Sequence, residues 1–220
     1  MKVLVVAPHP DDEVLGCGGM IAKRAKNGDE VYVCIVTKGM PPVFNPVLIE
    51  QGRIEDAEAS GILGVKRTLF LDYPAADLDK VGLGKLSRHF IEIIKNIEPD
   101  EVYIPHHGDM HFDHRIVSEA VMVGVRPKYS HVVRRVYAYE TLSETGWNIP
   151  STQNEFIPTV YENITDTIEN KIDAMNIFKS QLEDFPGPRS ITSIEALAKY
   201  RGSTVGVEYA EAFSLIREIK

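Results

Sequence analysis

The stretch Val3-Leu4-Val5-Val6-Ala7-Pro8-His9-Pro10-Asp11-Asp12-Glu13 decides how this chain reads. Five apolar residues, three of them β-branched, stop at Pro-His-Pro, and one imidazole and three carboxylates follow within five residues. A short apolar run bounded by prolines predicts a buried strand. Acidic residues just beyond it favour the positive end of a helix. His9, Asp11 and Asp12 are therefore expected in a strand-to-helix turn at the carboxyl end of a first strand. Open α/β sheets hold their ligands at that end.

Outward from this stretch the chain alternates. A helix is expected from Glu13 to Lys26, stopping at Asn27-Gly28. Gly16, Gly18 and Gly19 lower its intrinsic propensity and imply another backbone passing close by. They lack the G-x-G-x-x-G spacing of a dinucleotide site. Further strands are predicted over 31–36, 68–71, 101–105 and 132–139, and helices over 47–63, 83–96, 115–124, 166–178 and 193–201. Phe185-Pro186-Gly187-Pro188 reads as a turn, and residues 206–213 as extended backbone leading to a short closing element. Strand and helix alternating in this way predict an α/β fold: a single Rossmann-like three-layer domain over residues 1–220, its mostly parallel sheet flanked by helices. Residues 140–158 are irregular, and an irregular segment of that length in a compact domain is a candidate for function.

Bulk properties narrow the choice of partner. The 220 residues suit one sizeable α/β domain, and 44% hydrophobic with 25% charged residues is the ordinary balance of a globular protein. The formal net charge of −8 weighs against nucleic acid or an anionic membrane, though not against a small anionic substrate held by one or two arginines. No apolar run approaches the ~18 residues of a membrane span. The chain enters a strand at once, without a basic leader or cleavage site, so a cytoplasmic location is expected. Cys17 and Cys34 lie in apolar stretches and read as buried reduced thiols.

The second unusual stretch, His106-His107-Gly108-Asp109-Met110-His111-Phe112-Asp113-His114, packs four of the chain's seven histidines and two aspartates into nine residues. It follows the fourth strand, so in a parallel sheet it shares an edge with the first turn. Imidazole and carboxylate are zinc ligands, and a catalytic zinc takes three protein ligands and leaves a position open. His89 sits beside a helical apolar stripe and reads as a packing residue.

Ala7-Pro8-His9-Pro10-Asp11-Asp12-Glu13, then Gly18-Gly19, Arg53-Ile54-Glu55 through Leu63-Gly64, His111-Phe112-Asp113-His114 and Tyr209-Ala210-Glu211-Ala212-Phe213 together resemble the PIG-L/LmbE family of metal-dependent de-N-acetylases. The resemblance spans nearly the whole chain, with its specificity concentrated in the first motif. It implies that His9, Asp12 and His114 are the metal ligands, with Zn2+ as cofactor and Fe2+ as the alternative in the cell. It implies Asp11 as general base, His111 as oxyanion stabiliser or proton donor to the leaving amine, and Asp113 as the group orienting an imidazole. Arg53 would bind sugar hydroxyls or an attached acidic group; an ion pair with Glu55 or Asp56 is the competing expectation. His106 and His107 are expected on the pocket rim, and Glu13 at the helix cap or supporting the ligands. Some relatives carry a tyrosine where this chain has Asp109, so any role of that tyrosine is absent here or filled from elsewhere.

The implied activity is hydrolysis of an N-acetylated amino sugar or its conjugate, of N-acetylglucosamine type, to acetate and a free amine. A zinc amidohydrolase for a non-sugar N-acyl amine is the alternative, and a non-catalytic metal-containing binding module the third. The implied partner is the small-molecule N-acetyl amino-sugar substrate, with no nucleic acid and no membrane span. Family resemblance further implies a homo-oligomer, a trimer or hexamer.

Overall fold

A computed structural model describes residues 1–128 and 131–220. Five parallel strands form the heart of the sheet: β1 (Lys2–Ala7), β2 (Glu30–Lys38), β3 (Arg67–Pro74), β4 (Glu101–Pro105) and β5 (Arg135–Tyr139). Two more, β6 (Val160–Asn163) and β7 (Ala210–Glu218), extend it in the order β3-β2-β1-β4-β5-β7-β6. The expected mostly parallel α/β fold is the one observed. β7 runs antiparallel to both β5 and β6. It replaces the short closing element expected near 213, and β6 lies where no strand was expected. The added pair is legible only in three dimensions, because β6 is four residues long and none of them is buried.

The helices are α1 (Asp12–Lys26), α2 (Pro46–Leu63), α3 (Leu78–Val81), α4 (Leu83–Ile97), α5 (Phe112–Gly124), α6 (Ile168–Ile177) and α7 (Ile191–Ser203). Strand alternation sends Val3, Val5 and Ala7 into a core shared with α1, α2 and α6, while Leu4 and Val6 pack on α4 and α5. Both faces of β1 are thus buried, which is why its sequence is apolar without alternation. Cys17 and Cys34 are buried and free. Among the described residues no helix is long and apolar enough to cross a membrane.

The α1 glycines answer to side chains, not to a passing backbone. A Cβ at Gly16 would lie 2.2 Å from the Tyr139 ring, and one at Gly19 would lie 2.8 Å from Ile164. Nearby, the buried Glu211 carboxylate accepts the backbone N–H groups of Gly19 (2.9 Å) and Met20 (2.7 Å). Lys171 Nζ donates to Leu15 O (2.8 Å) and to Glu211 Oε1 (2.6 Å). A buried ion pair therefore enters the hydrogen-bond ladder of α1 and ties it to α6 and β7.

The strand order changes direction between β1 and β4. At such a switch point the loops beyond the two carboxyl ends diverge and leave a crevice. Both His- and Asp-rich stretches leave the sheet there.

Candidate active site

Asp11 and Asp12 are adjacent, yet their carboxylates serve different places. Asp11 adopts φ 100° and ψ −27°, a left-handed conformation that an aspartate rarely takes. The kink turns Asp12 into the first turn of α1 and sends the Asp11 side chain elsewhere. Thr37, near the end of β2, braces this turn by donating its backbone N–H (3.0 Å) and hydroxyl (2.8 Å) to Pro8 O. Asp12 Oδ2 accepts the backbone N–H of His9 at 2.9 Å and lies 3.2 Å from His9 Nδ1 and 3.2 Å from His114 Nε2.

His114 arrives from the other stretch because α5 begins earlier than the predicted Arg115. His111 is its N-cap: Nδ1 accepts the Asp113 backbone N–H at 3.1 Å. An imidazole here does what Ser, Thr, Asp or Asn usually does at a helix start, so the cap left no ordinary signal. Asp113 and His114 consequently occupy the first turn of α5, both buried. His111 Nδ1 acts as an acceptor, so its proton resides on Nε2.

The ligand-type atoms of His9, Asp12 and His114 lie within 4.8 Å of one another. His9, His111 and Asp113 meet the same criterion, but here the carboxylate is already engaged by backbone N–H groups and by His9. Asp113 accepts the backbone N–H groups of Ala76 (2.7 Å) and Leu78 (3.4 Å), and its Oδ2 lies 3.0 Å from His9 Nε2. In the first group, His114 Nε2 is buried and has no hydrogen-bond partner, its approach to Asp12 being poorly aligned. An orphaned ring nitrogen facing a carboxylate and a second imidazole is the donor set that zinc takes. These three residues could hold a divalent metal.

Asp109 is the residue that motif reading missed. It is fully buried, its Oδ2 lies 2.9 Å from His114 Nδ1, and its Oδ1 accepts from Thr145 Oγ1 at 2.6 Å. A carboxylate on the far nitrogen of a metal-ligating histidine fixes the ring's orientation and tautomer. Asp109 thus supports His114 and does not reach the cleft in place of a tyrosine. A carboxylate five residues before the histidine was the available signal.

Charge in the cluster follows from these contacts. Burial pulls the His9 imidazole down, but hydrogen bonds to Asp113 and Asp12 outweigh it and raise its pKa to about 9. Burial likewise opposes His114, which the Asp12 charge and the Asp109 hydrogen bond carry up to about 10. Burial and the charge on His9 press His111 down to about 4, leaving it neutral. Burial and the charge of Asp12 lift Asp11 to about 7 against the pull of Arg189. A cation held by His9, Asp12 and His114 would displace one proton from each imidazolium and leave the N–H that faces Asp113 or Asp109.

Over this cluster opens a cleft of about 290 Å³, with His9, Asp11 and His111 in its wall. Phe44, Leu48 and Ile49 give it an apolar side, while Arg53, Glu144 and Arg189 give it charge. Arg53 pairs with Asp72 and stacks over the Phe70 ring at 3.9 Å, so neither Glu55 nor Asp56 is its ion-pair partner. Glu55 instead accepts from Ser180 Oγ at 2.5 Å. His106 is buried with its Nε2 donating to Asn154 O (3.1 Å), and neither it nor His107 lines the cleft as the rim expectation had it. Glu13 gives no side-chain cap and lies buried, its pKa raised well above the carboxylate range by burial and by Asp56. From the 140–158 segment only Glu144 lines the cleft. Thr145, Asn148 and Asn154 brace the loop after β4 instead.

A second residue escaped the sequence altogether. Arg189 Nε donates to Asp11 Oδ2 at 3.0 Å across 178 positions of chain. No local pattern marks an arginine whose partner is so distant.

The family model described as "PIG-L: GlcNAc-PI de-N-acetylase" matches residues 4–124, more than half of the chain, and takes in His9, Asp11, Asp12, Asp109, His111, Asp113 and His114. The chain belongs to the PIG-L family. An Escherichia coli K12 protein named "Uncharacterized deacetylase YaiS" is 30% identical over 167 residues, covering 74% of this chain and 81% of that one. The diacetylchitobiose deacetylase of Thermococcus kodakarensis is 26% identical, over 98% of this chain and 83% of its own. Among solved structures, the conserved protein TT1542 of Thermus thermophilus superposes with a TM-score of 0.79 at 28% identity, covering 99% of this chain and 96% of that one.

Proposed function

We propose that this PIG-L protein is a zinc-dependent N-deacetylase that hydrolyses the acetamide of an N-acetylated amino sugar or its conjugate, giving acetate and a free amine. The observation that carries the reading is the convergence of His9, Asp12 and the orphaned His114 Nε2 beneath an open cleft. Relatives named as deacetylases, among them one for diacetylchitobiose, support the sugar class. Zinc held by these three residues supplies Lewis acidity toward the amide carbonyl and lowers the pKa of a water to about 7.

The chain's own groups do the remainder. Asp11, beside the ligands but spared from them by its left-handed turn, takes the proton of the attacking water. His111, neutral and with its proton on Nε2, donates a hydrogen bond to the carbonyl oxygen as negative charge develops there. Protonated Asp11 then returns its proton to the departing amine. Asp113 keeps His9 oriented through Nε2, and Arg53 on the cleft wall meets the substrate's hydroxyl or acidic groups.

The test pairs two variants on a panel of N-acetyl amino sugars and N-acyl amino acids, with acetate release and metal content as readouts. Asp11→Ala is expected to keep zinc and lose turnover; His114→Ala is expected to lose zinc. Wild-type activity in Asp11→Ala refutes the assignment of the base, and hydrolysis confined to N-acyl amino acids refutes the substrate class.

A further inference from the structure

We infer that Arg189 is a positioning residue for the reaction: it holds Asp11 Oδ2 and so presents Asp11 Oδ1 to the attacking water. The reaction part of this inference rests on the deacetylase reading; the contact itself does not.

The two oxygens of Asp11 are unequal. Oδ2 accepts from Arg189 Nε at 3.0 Å, whereas Oδ1 is buried with no hydrogen-bond partner. The hydrogen bond favours the rotamer that gives Oδ2 to Arg189 and leaves Oδ1 as the oxygen with no other partner. The strand-to-helix turn cannot supply that tie. Its own backbone spends the His9 N–H on Asp12, and Asp11, though the N-cap of α1, makes no side-chain cap hydrogen bond. An untethered carboxylate at this place is free to swing toward the ligand cluster, where Asp12 already serves.

The arm that delivers Arg189 is internally braced. Gly187 N–H donates to Asp184 O (2.8 Å), Ser190 N–H to Gly187 O (3.1 Å), and Ser193 Oγ to Gly187 O (2.9 Å). Glu183 Oε2 accepts the Arg189 backbone N–H at 3.3 Å. A Cβ at Gly187 would stand 2.6 Å from Glu183 Cβ, so the turn as built needs glycine there. Ser190 then caps α7 by accepting from Ser193 N–H at 3.2 Å. Arg189 is therefore held from both sides, and its side chain, 24% exposed, reaches along the cleft wall to Asp11. Its Nε is committed to Asp11, and its terminal nitrogens have no hydrogen-bond partner among the described residues. Those free nitrogens define the rival role, direct binding of substrate.

Kinetics separate the two roles. With the zinc-loaded protein and N,N'-diacetylchitobiose as probe, Arg189→Ala is expected to lower kcat by about 10²-fold, the scale of a misplaced catalytic group, with KM unchanged. Zinc content should match wild type. Arg189→Lys should recover part of kcat, and millimolar guanidinium should rescue Arg189→Ala while leaving wild type unaffected. A raised KM with intact kcat overturns the proposal in favour of substrate binding. Loss of zinc, or a kcat that guanidinium and Arg189→Lys both fail to restore, overturns it in favour of a structural role. Melting temperatures of Arg189→Ala, Asp11→Asn and the double variant judge the contact without turnover. Arg189→Ala should shift the midpoint less in the Asp11→Asn background, and additive shifts overturn the tie. If wild type releases no acetate from any N-acetyl amino sugar, the deacetylase reading falls and takes the reaction role with it. The melting cycle still decides whether Arg189 holds Asp11.

Discussion

Glu211→Gln is expected to be one of the costliest single changes away from the cleft. The substitution keeps the size of the side chain and removes its charge. Lys171, only 5% exposed, then keeps a buried ammonium whose counter-charge is gone, and one amide oxygen must serve the two N–H groups of Gly19 and Met20. Removing one partner of a buried pair costs about 3–5 kcal/mol. In a chain of this length that corresponds to a midpoint roughly 6–20 °C lower, at about 2–4 °C per kcal/mol. Adding Lys171→Met should return most of the loss. The ammonium disappears, and the Gly19 N–H has Leu15 O, four residues earlier, as its ordinary helical partner. Urea or thermal unfolding of the two single variants and the double variant gives the coupling directly. Losses that simply add in the double variant, or a Glu211→Gln midpoint within about 2 °C of wild type, would refute the Lys171–Glu211 pair as an energetic unit.

Two further outcomes follow from the site. Asp109→Ala removes the carboxylate behind His114 and should weaken zinc binding by about 10–100-fold, measured by competition with a chelator, with the fold retained. In the metal-free protein, His9 and His114 titrate at about 9 and about 10, above the ordinary value near 6.5. Their pairing therefore stabilises the fold fully below about pH 6.5 and is lost as pH rises toward 10. Thermal midpoints of the chelated protein should fall across that window, and zinc should flatten the decline. A chelated protein that is more stable at pH 9.5 than at pH 6.5 contradicts the assignment.

The backbone pattern of this protein was largely written in local sequence. The apolar run at 3–7, the core spacing of Leu86, Phe90, Ile93 and Ile94, and the punctuation at Gly64 each encode an element through short-range physics. The alternation of those elements encodes a parallel sheet. β6 and β7 were harder because their pairing is long-range: Val160 meets Phe213 and Asn163 meets Ala210. Four half-exposed residues carry no pattern until that partner is present.

By itself the sequence determined the chemistry available: two stretches rich in histidine and aspartate, each following a strand, and a family motif joining them. Only the tertiary structure decided how each side chain is spent. The left-handed turn at Asp11 parts it from Asp12, His111 caps its own helix, Asp109 backs His114, and Arg189 reaches along the cleft wall to the proposed base. Composition and spacing reveal which groups exist. Whether a carboxylate ligates, supports or accepts a proton depends on which of its oxygens another chain segment has already taken.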